Sequence, residues 1–417
     1  MANPVEAQDY FNRGLDQLHA GDWKSALDDF TEAIKLRPDI AVGWRFRSYA
    51  FAEAGNVIRA IADLDEALRL KPDDVQAYYD RGQHFLRQKQ YEQALEDCNK
   101  ALAEDAGRAD LLGLRGRVHA AKGTSEDALF DYSQAIQMDP EGAKDYYIWR
   151  GDLYMDLEDP QKAIEDYSAS LLREPNSTHA LSQRGHAFWI QGDLTSALAD
   201  LNLAVEIDPN WHWLRVRRGA LHNEMKEYDQ ALSDFNRAIE MNPKYILAYE
   251  YRSETNQNLG KKPESLADLS EALKLQPEGS QALRILNRRA MIHYFNKEYL
   301  RAIRDHTEAL KKEPDHAATF NYLAWIWCTA PDPNVRNGRR ALECATRANE
   351  LTEFENPGFL DTLAAAHAEL GQFQEAMEWE GKAIELAEDE DTREEYATRI
   401  DQYGERKPLR VTPKSEV

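Results

Sequence analysis

The chain has 417 residues, 42% hydrophobic and 30% charged, with 51 basic and 74 acidic side chains and a formal charge of −23. Binding a phosphate backbone needs a dominant positive stripe, so this balance speaks against nucleic acid and, where a partner is charged, for a basic one. The opening MANPVEAQDY carries no charged-then-apolar leader and no apolar run reaches spanning length, so a cytoplasmic protein without membrane insertion is expected.

From Ala7 onward the sequence repeats itself every 34 residues. Each repeat is punctuated by a small residue, two further small residues (mostly Ala) and a Pro. In the first repeat these are Gly14, Ala26, Ala33 and Pro38; in the second, Ser48, Ala60, Ala67 and Pro72. The third has Gly82, Ala94 and Ala101, with Ala106 in the proline place, and the fourth Gly116, Ala128, Ala135 and Pro140. An extra residue near Ala143 shifts the fifth to Gly151, Ala163, Ser170 and Pro175; Gly185, Ala197, Ala204 and Pro209 mark the sixth. The seventh has Gly219, Ala231, Ala238 and Pro243, and the eighth Ser253, Ser265, Ala272 and Pro277. Three inserted residues, 280–282, precede the ninth, marked by Ala290, Ala302, Ala309 and Pro314.

The tenth repeat gains about five residues in its turn, Thr329–Gly338, and the eleventh is marked by Ala364, Gly371, Ala376 and Ala383. Repeats therefore start near 7, 41, 75, 109, 144, 178, 212, 246, 283, 317 and 357, and residues 7–390 form one array. A capping helix over 391–404 and a flexible tail over 405–417 complete the expected organisation. A solenoid end needs such a polar cover over its last apolar face.

Within a repeat, apolar residues recur at helical spacing. Leu214, Val216, Ala220 and Leu221 mark a first helix, and Tyr228, Leu232, Phe235 and Ile239 a second. The polar run Asn223–Lys226 allows only a tight turn, and Pro243 stops the second helix because it lacks an N–H. A glycine inside a helix costs about 1 kcal/mol against alanine. Gly219 therefore predicts close approach of the first helix to Ala231 and Ala238.

A self-similar period of this length marks a stacked helical array, and this pattern resembles the tetratricopeptide repeat family over roughly residues 7–390. The resemblance implies an all-α, right-handed superhelical solenoid of about eleven helix-turn-helix repeats, whose first helices line a concave groove that binds peptides or proteins. LAW (Leu323–Trp325), RNG (Arg336–Gly338) and LDTLAAAHAELGQF (Leu360–Phe373) resemble a C-terminal arrangement of bacterial repeat proteins. The turn at Thr329–Gly338 is accordingly expected to be self-structured.

Nine successive repeats place Arg just before the small residue of the first helix and Asp sixteen residues later, from Arg13 and Asp29 to Arg289 and Asp305. In the tenth and eleventh both vanish together, replaced by Leu323 and Leu363 on one helix and by Cys344 and Trp379 on the other. Joint presence and joint loss predict pairing within a repeat or with its neighbour.

No HExxH, GxSxG, phosphate-binding glycine loop or EF-hand loop is present, and the residues outside the repeats are too few for a catalytic domain. A non-enzymatic protein without cofactor or metal is expected. Cys98, Cys328 and Cys344 have no metal-ligand spacing and read as inert packing groups. His119, His222, His293 and His367 share a column with Phe51, Phe85, Tyr154 and Phe188 and read as interhelical packing.

The resemblance also implies where ligands lie. Its groove stripe falls on Tyr79, Gln83, Asp110, Arg117, Asp145, Asp152 and Asp156, then His179, Ser182, His186, Trp189, Trp213 and Asn223. It continues through Glu250, Glu254, Arg284, Asn287 and Tyr294. Asp145, Asp152 and Asp156 share one helical face and suit a Lys- or Arg-bearing peptide, although an ordinary solvated face has the same pattern. Trp189 and Trp213 suit aromatic anchoring or packing between repeats. The Lys/Asn/Asn/Lys/Arg carboxylate clamp of the chaperone-tail branch has no counterpart in these columns. The expected function is a scaffold or adaptor binding a protein or peptide in the groove; the alternative is an auxiliary subunit that docks an enzyme complex on the convex face.

Overall fold

The computed structural model describes residues 4–276, 278–411 and 413. Pro277, expected to end a second helix, and positions 412 and 414–417 of the expected tail lie outside the described residues. Among the described residues there are twenty-three α-helices and no strand, and no helix is long and apolar enough to cross a membrane. They group into two compact units that divide after Asp208.

The N-terminal unit contains α1 (Pro4–His19), α2 (Trp23–Leu36), α3 (Ala41–Glu53), α4 (Val57–Leu70), α5 (Val75–Arg87) and α6 (Tyr91–Glu104). It continues with α7 (Ala109–Lys122), α8 (Ser125–Met138), α9 (Lys144–Asp156), α10 (Pro160–Arg173), α11 (Thr178–Ile190) and α12 (Leu194–Ile207). The C-terminal unit contains α13 (His212–Glu224), α14 (Tyr228–Met241), α15 (Ile246–Asn258), α16 (Lys262–Leu275), α17 (Gly279–Phe295) and α18 (Tyr299–Lys312). It closes with α19 (Ala317–Thr329), α20 (Gly338–Leu351), α21 (Pro357–Glu369), α22 (Phe373–Leu386) and α23 (Glu390–Gly404).

Consecutive helices pack as hairpins in tandem, an all-α solenoid in each unit. Neighbouring first helices also touch one another, as α5 touches α7 and α13 touches α15. The hairpin turn demands one residue in the left-handed region, at φ between +58° and +87°. Glycine supplies it at Gly21, Gly55, Gly123, Gly192, Gly260 and Gly371; Lys89, Glu158, Lys226 and Lys297 adopt it despite their side chains.

The arginine–aspartate ladder is real and closes within each hairpin. In the pairs from Arg47–Asp63 to Arg289–Asp305, Nε and Nη2 donate to the carboxylate at 2.5–3.2 Å. Arg13 and Asp29 pair in the same way. The aspartates are only 2–7% exposed. A free Nη1 then reaches back to the preceding hairpin: Arg115 to Asn99 at 2.8 Å, Arg150 to Ser133 at 2.9 Å, Arg252 to Asn236 at 2.6 Å. Where Nη1 makes that reach, the guanidinium holds its own hairpin shut and sets its register on the one before. Where the ladder stops, Leu323, Leu363, Cys344 and Trp379 join one apolar cluster.

The glycine expectation needs correction. A β-carbon on Gly219 would lie 2.7 Å from Cε1 of Phe235, so an aromatic ring, rather than Ala231 or Ala238, occupies the space. Gly14, Gly116 and Gly151 face Phe30, Tyr132 and Tyr167 in the same way, at 2.7–2.8 Å. Where the second helix carries Leu64, Leu269 or His306 instead, the first-helix position is Ser48, Ser253 or Ala290.

The four histidines do more than pack. Nδ1 of His119, His222, His293 and His367 lies 2.6–2.8 Å from the side chains of Thr124, Glu227, Glu298 and Gln372, the residues immediately before the following helices. Hydrogen bonding, as well as ring volume, thus ties the two helices of those hairpins.

Residues 280–282, read as an insertion before the ninth repeat, instead lengthen α17 at its start. In the Thr329–Gly338 turn, Arg336 donates to the carbonyls of Ala330 and Pro331 at 3.0 and 2.9 Å, Val335 is buried, and Asn337 caps α20. The described part of the expected flexible tail, 405–411, lies against the end of the array. Leu409 packs on the last hairpins, Arg410 pairs with Glu369 at 2.6 Å, and the Val411 N–H donates to the Thr329 carbonyl at 3.0 Å. Exposed apolar surface and an open carbonyl at the array's end give this segment something to bind.

Candidate functional site

Helical spacing places the expected groove residues on the first helices, but most turn sideways to the neighbouring first helix. Between α5 and α7, Arg108 lies over the Tyr79 ring at 6.0 Å, pairs with Asp110 at 2.5 Å and donates to Gln76 at 3.2 Å. Asp152 on α9 accepts from Gln183 on α11 at 3.2 Å and from the Tyr167 hydroxyl at 2.7 Å. Burial opposes its charge, but contacts with His179, Tyr167 and Gln183 outweigh that and hold the carboxyl below the ordinary range.

The C-terminal unit repeats the arrangement. Asn223 on α13 donates to Glu254 at 3.3 Å and accepts from Thr255 at 2.9 Å, both on α15. Glu250, expected to face a ligand, is only 4% exposed and meets Arg284 of α17 at 2.9 Å and Gln281 at 2.9 Å. Asn287 donates to Thr319 at 2.7 Å, and Tyr294 accepts from the Trp325 indole at 3.1 Å. These residues form a polar seam that braces one first helix against the next.

Others are placed differently. Arg117 of α7 is exposed but lies over the Trp149 ring of α9 at 5.0 Å; Asp145 and Asp156 are exposed, and Gln83 and Trp213 are half-buried, the latter with Trp211 at 5.6 Å and Arg217 over it at 4.5 Å. His186 and Trp189 make an edge contact at 6.4 Å, while Ser182 is fully buried. Asp145, Asp152 and Asp156 share a helix, yet only the outer two are free of the seam. The sequence pattern did not distinguish them because the bracing partners come from the next repeat.

A second feature shares only Tyr294 with the expected groove stripe. In the C-terminal unit, α17, α18, α19, α21 and α23 line an open cavity of about 380 Å³, within the roughly 300–1,000 Å³ of small-ligand sites. Its wall includes His306, Asn321, Tyr322, Trp325, Asp361, Glu395, Tyr396 and Arg399. Arg399 forms ion pairs with both Asp361 and Glu395. Behind Asp361 lies Glu380, with no exposed surface. Burial, then the charge of Asp361, pushes the Glu380 carboxyl up to about 10, so it keeps its proton at neutral pH. Glu395, Tyr396 and Arg399 stand on α23, which belongs to no repeat, so periodicity could not bring them together with the repeat residues His306, Asn321, Tyr322, Trp325 and Asp361.

Models of the tetratricopeptide repeat match residues 11–75, 49–109, 79–143 and 150–210, and, with a second model of the same description, 213–245. No curated protein matches the chain. Among solved structures, a tetratricopeptide repeat protein from Parabacteroides merdae is 21% identical, covering 57% of this chain and 93% of its own at a TM-score of 0.46. Yeast Tom70 is 17% identical, covers 95% of both chains and has a TM-score of 0.45. The human IFIT1 dimer with PPP-AAAA is 17% identical, covers 93% of this chain and 96% of its own, with a TM-score of 0.48.

Proposed function

Because the chain belongs to the tetratricopeptide repeat family, we propose that it is a non-enzymatic scaffold that binds a protein or an extended peptide along its first helices. The observation that carries this reading is the polar seam. Gln183 and Asp152 lock α11 to α9 in the N-terminal unit, and side chains from Asn223 to Asn287 lock neighbouring first helices in the C-terminal unit, so exposed residues such as Asp145 and Asp156 of α9 stand on a helix already ordered before binding. Preorganisation of that kind lowers the entropic cost of association. Exposed Asp145 and Asp156, in a chain of net charge −23, favour a basic segment.

One observation favours docking on the opposite face instead. Phe130 and Leu172, on second helices, are 61% and 82% exposed. A photo-crosslinking residue placed at 145 or 156, and separately at 130 or 172, separates the two readings in extracts of the source cell. Crosslinks to one basic partner from 145 and 156, competed by a peptide of that partner, are expected. Crosslinks only from 130 and 172 would transfer the function to the second helices.

A further inference from the structure

We propose that the cavity between α17, α18, α19, α21 and α23 is a pocket for an amine- or guanidinium-bearing side chain of a basic peptide. The peptide as its source rests on the scaffold reading above; the preference for a cation stands on the cavity itself. Its charged lining is two carboxylates, Asp361 and Glu395, against one guanidinium, Arg399, which leaves a net negative wall. An incoming anion would face both carboxylates, whose compensating Arg399 is already paired.

The polar groups left over are acceptors. His306 has no exposed surface, and its Nδ1 lies 2.8 Å from Oδ1 of Asn287, to which it must donate. Nε2 is then a bare acceptor, and it has no partner, nor does Oδ1 of Asn321 on the same wall. Burial pushes the His306 imidazole down to about 4, which keeps it neutral and accepting at physiological pH. An unpaired buried acceptor costs about 1–3 kcal/mol, a cost that a donor-rich guest relieves.

The aromatic walls point the same way. Tyr322 stacks on His306 at 5.2 Å and is 36% exposed, and the Trp325 indole N–H is spent on Tyr294. The chain's own Arg399 guanidinium lies 5.5 Å from the centre of the Trp325 ring and 5.4 Å from that of Tyr396. The walls thus already favour one guanidinium through their ring faces.

Isothermal titration of the full chain tests this with acetyl-Ala-Arg-Ala-amide, acetyl-Ala-norleucine-Ala-amide and spermidine. The arginine peptide is expected to bind at least tenfold more tightly than the norleucine peptide. Glu395→Lys, at a side chain 62% exposed, should weaken it at least tenfold while leaving the melting temperature in place; Asn321→Leu should do the same by removing an acceptor. If Asn321→Leu does not fold, Glu395→Lys decides alone. Equal binding of the norleucine peptide, or undiminished binding by folded Glu395→Lys, would overturn the pocket. Tighter binding of spermidine than of the arginine peptide would overturn the peptide as source. These tripeptides are too short to report on the first helices of the N-terminal unit, so the outcome is independent of the crosslinking result there.

Discussion

Gly116 and Gly82 hold the same place in neighbouring repeats but meet different atoms. A methyl group on Gly116 would sit 2.7 Å from Cε1 of Tyr132, held rigid in the core; on Gly82 it would sit 3.4 Å from a methyl of Leu114, an ordinary contact. Alanine gains roughly 1 kcal/mol of helix propensity over glycine, whereas overpacking costs about 1–3 kcal/mol. Gly116→Ala is therefore expected to lower stability by about 1–2 kcal/mol and Gly82→Ala to leave it unchanged or raise it, as read from urea denaturation midpoints. Equal shifts would show that the ring yields. Both glycines were visible in the repeat. Their different reasons were not, because the neighbour that decides differs between repeats: Tyr132 of the same hairpin for Gly116, Leu114 of the next hairpin for Gly82.

At the scale of an element, α23 is held by a buried charge cluster that is sensitive to pH. The Glu380 carboxyl sits at about 10 in the fold against an ordinary value of 4.5. Its folded value is raised, so its contribution is fully present below 4.5 and is lost as pH rises toward 10, while the unfolded chain releases a proton that the folded chain retains. Burial raises Asp361 too, giving the same sign. Glu380→Gln keeps the shape of the protonated acid and removes its titration. Between pH 5 and 9, hydrogen exchange in α22 and α23 should quicken with pH more steeply than the intrinsic rate in the parent chain and less so in the variant. Parallel slopes would place the pH dependence elsewhere. Neither the cluster nor the docked segment 405–411 was legible beforehand, since Asp361, Glu380 and Arg399 share no column of the repeat.

For the molecule as a whole, contacts run chiefly between a hairpin and its neighbours, so stability is a chain of local terms. Asp131 is 2% exposed and completes the Arg115 pair. Breaking a buried pair costs about 3–5 kcal/mol, so Asp131→Asn should sharply accelerate amide exchange in α7, α8 and α9. Exchange in α17 to α22 should stay unchanged. Uniform loss of protection across the chain would mean that the array unfolds as one cooperative body.

From its sequence alone this protein was committed to an all-α solenoid and to its arginine–aspartate pairs. Partners sixteen residues apart meet across a single hairpin turn, and short-range geometry leaves them little choice. Tertiary structure decided which polar side chains brace neighbouring first helices and which remain open, because that depends on how one hairpin rests on the next. It also created the cavity beside α23, where groups remote along the chain converge only after the last helix packs against its predecessors.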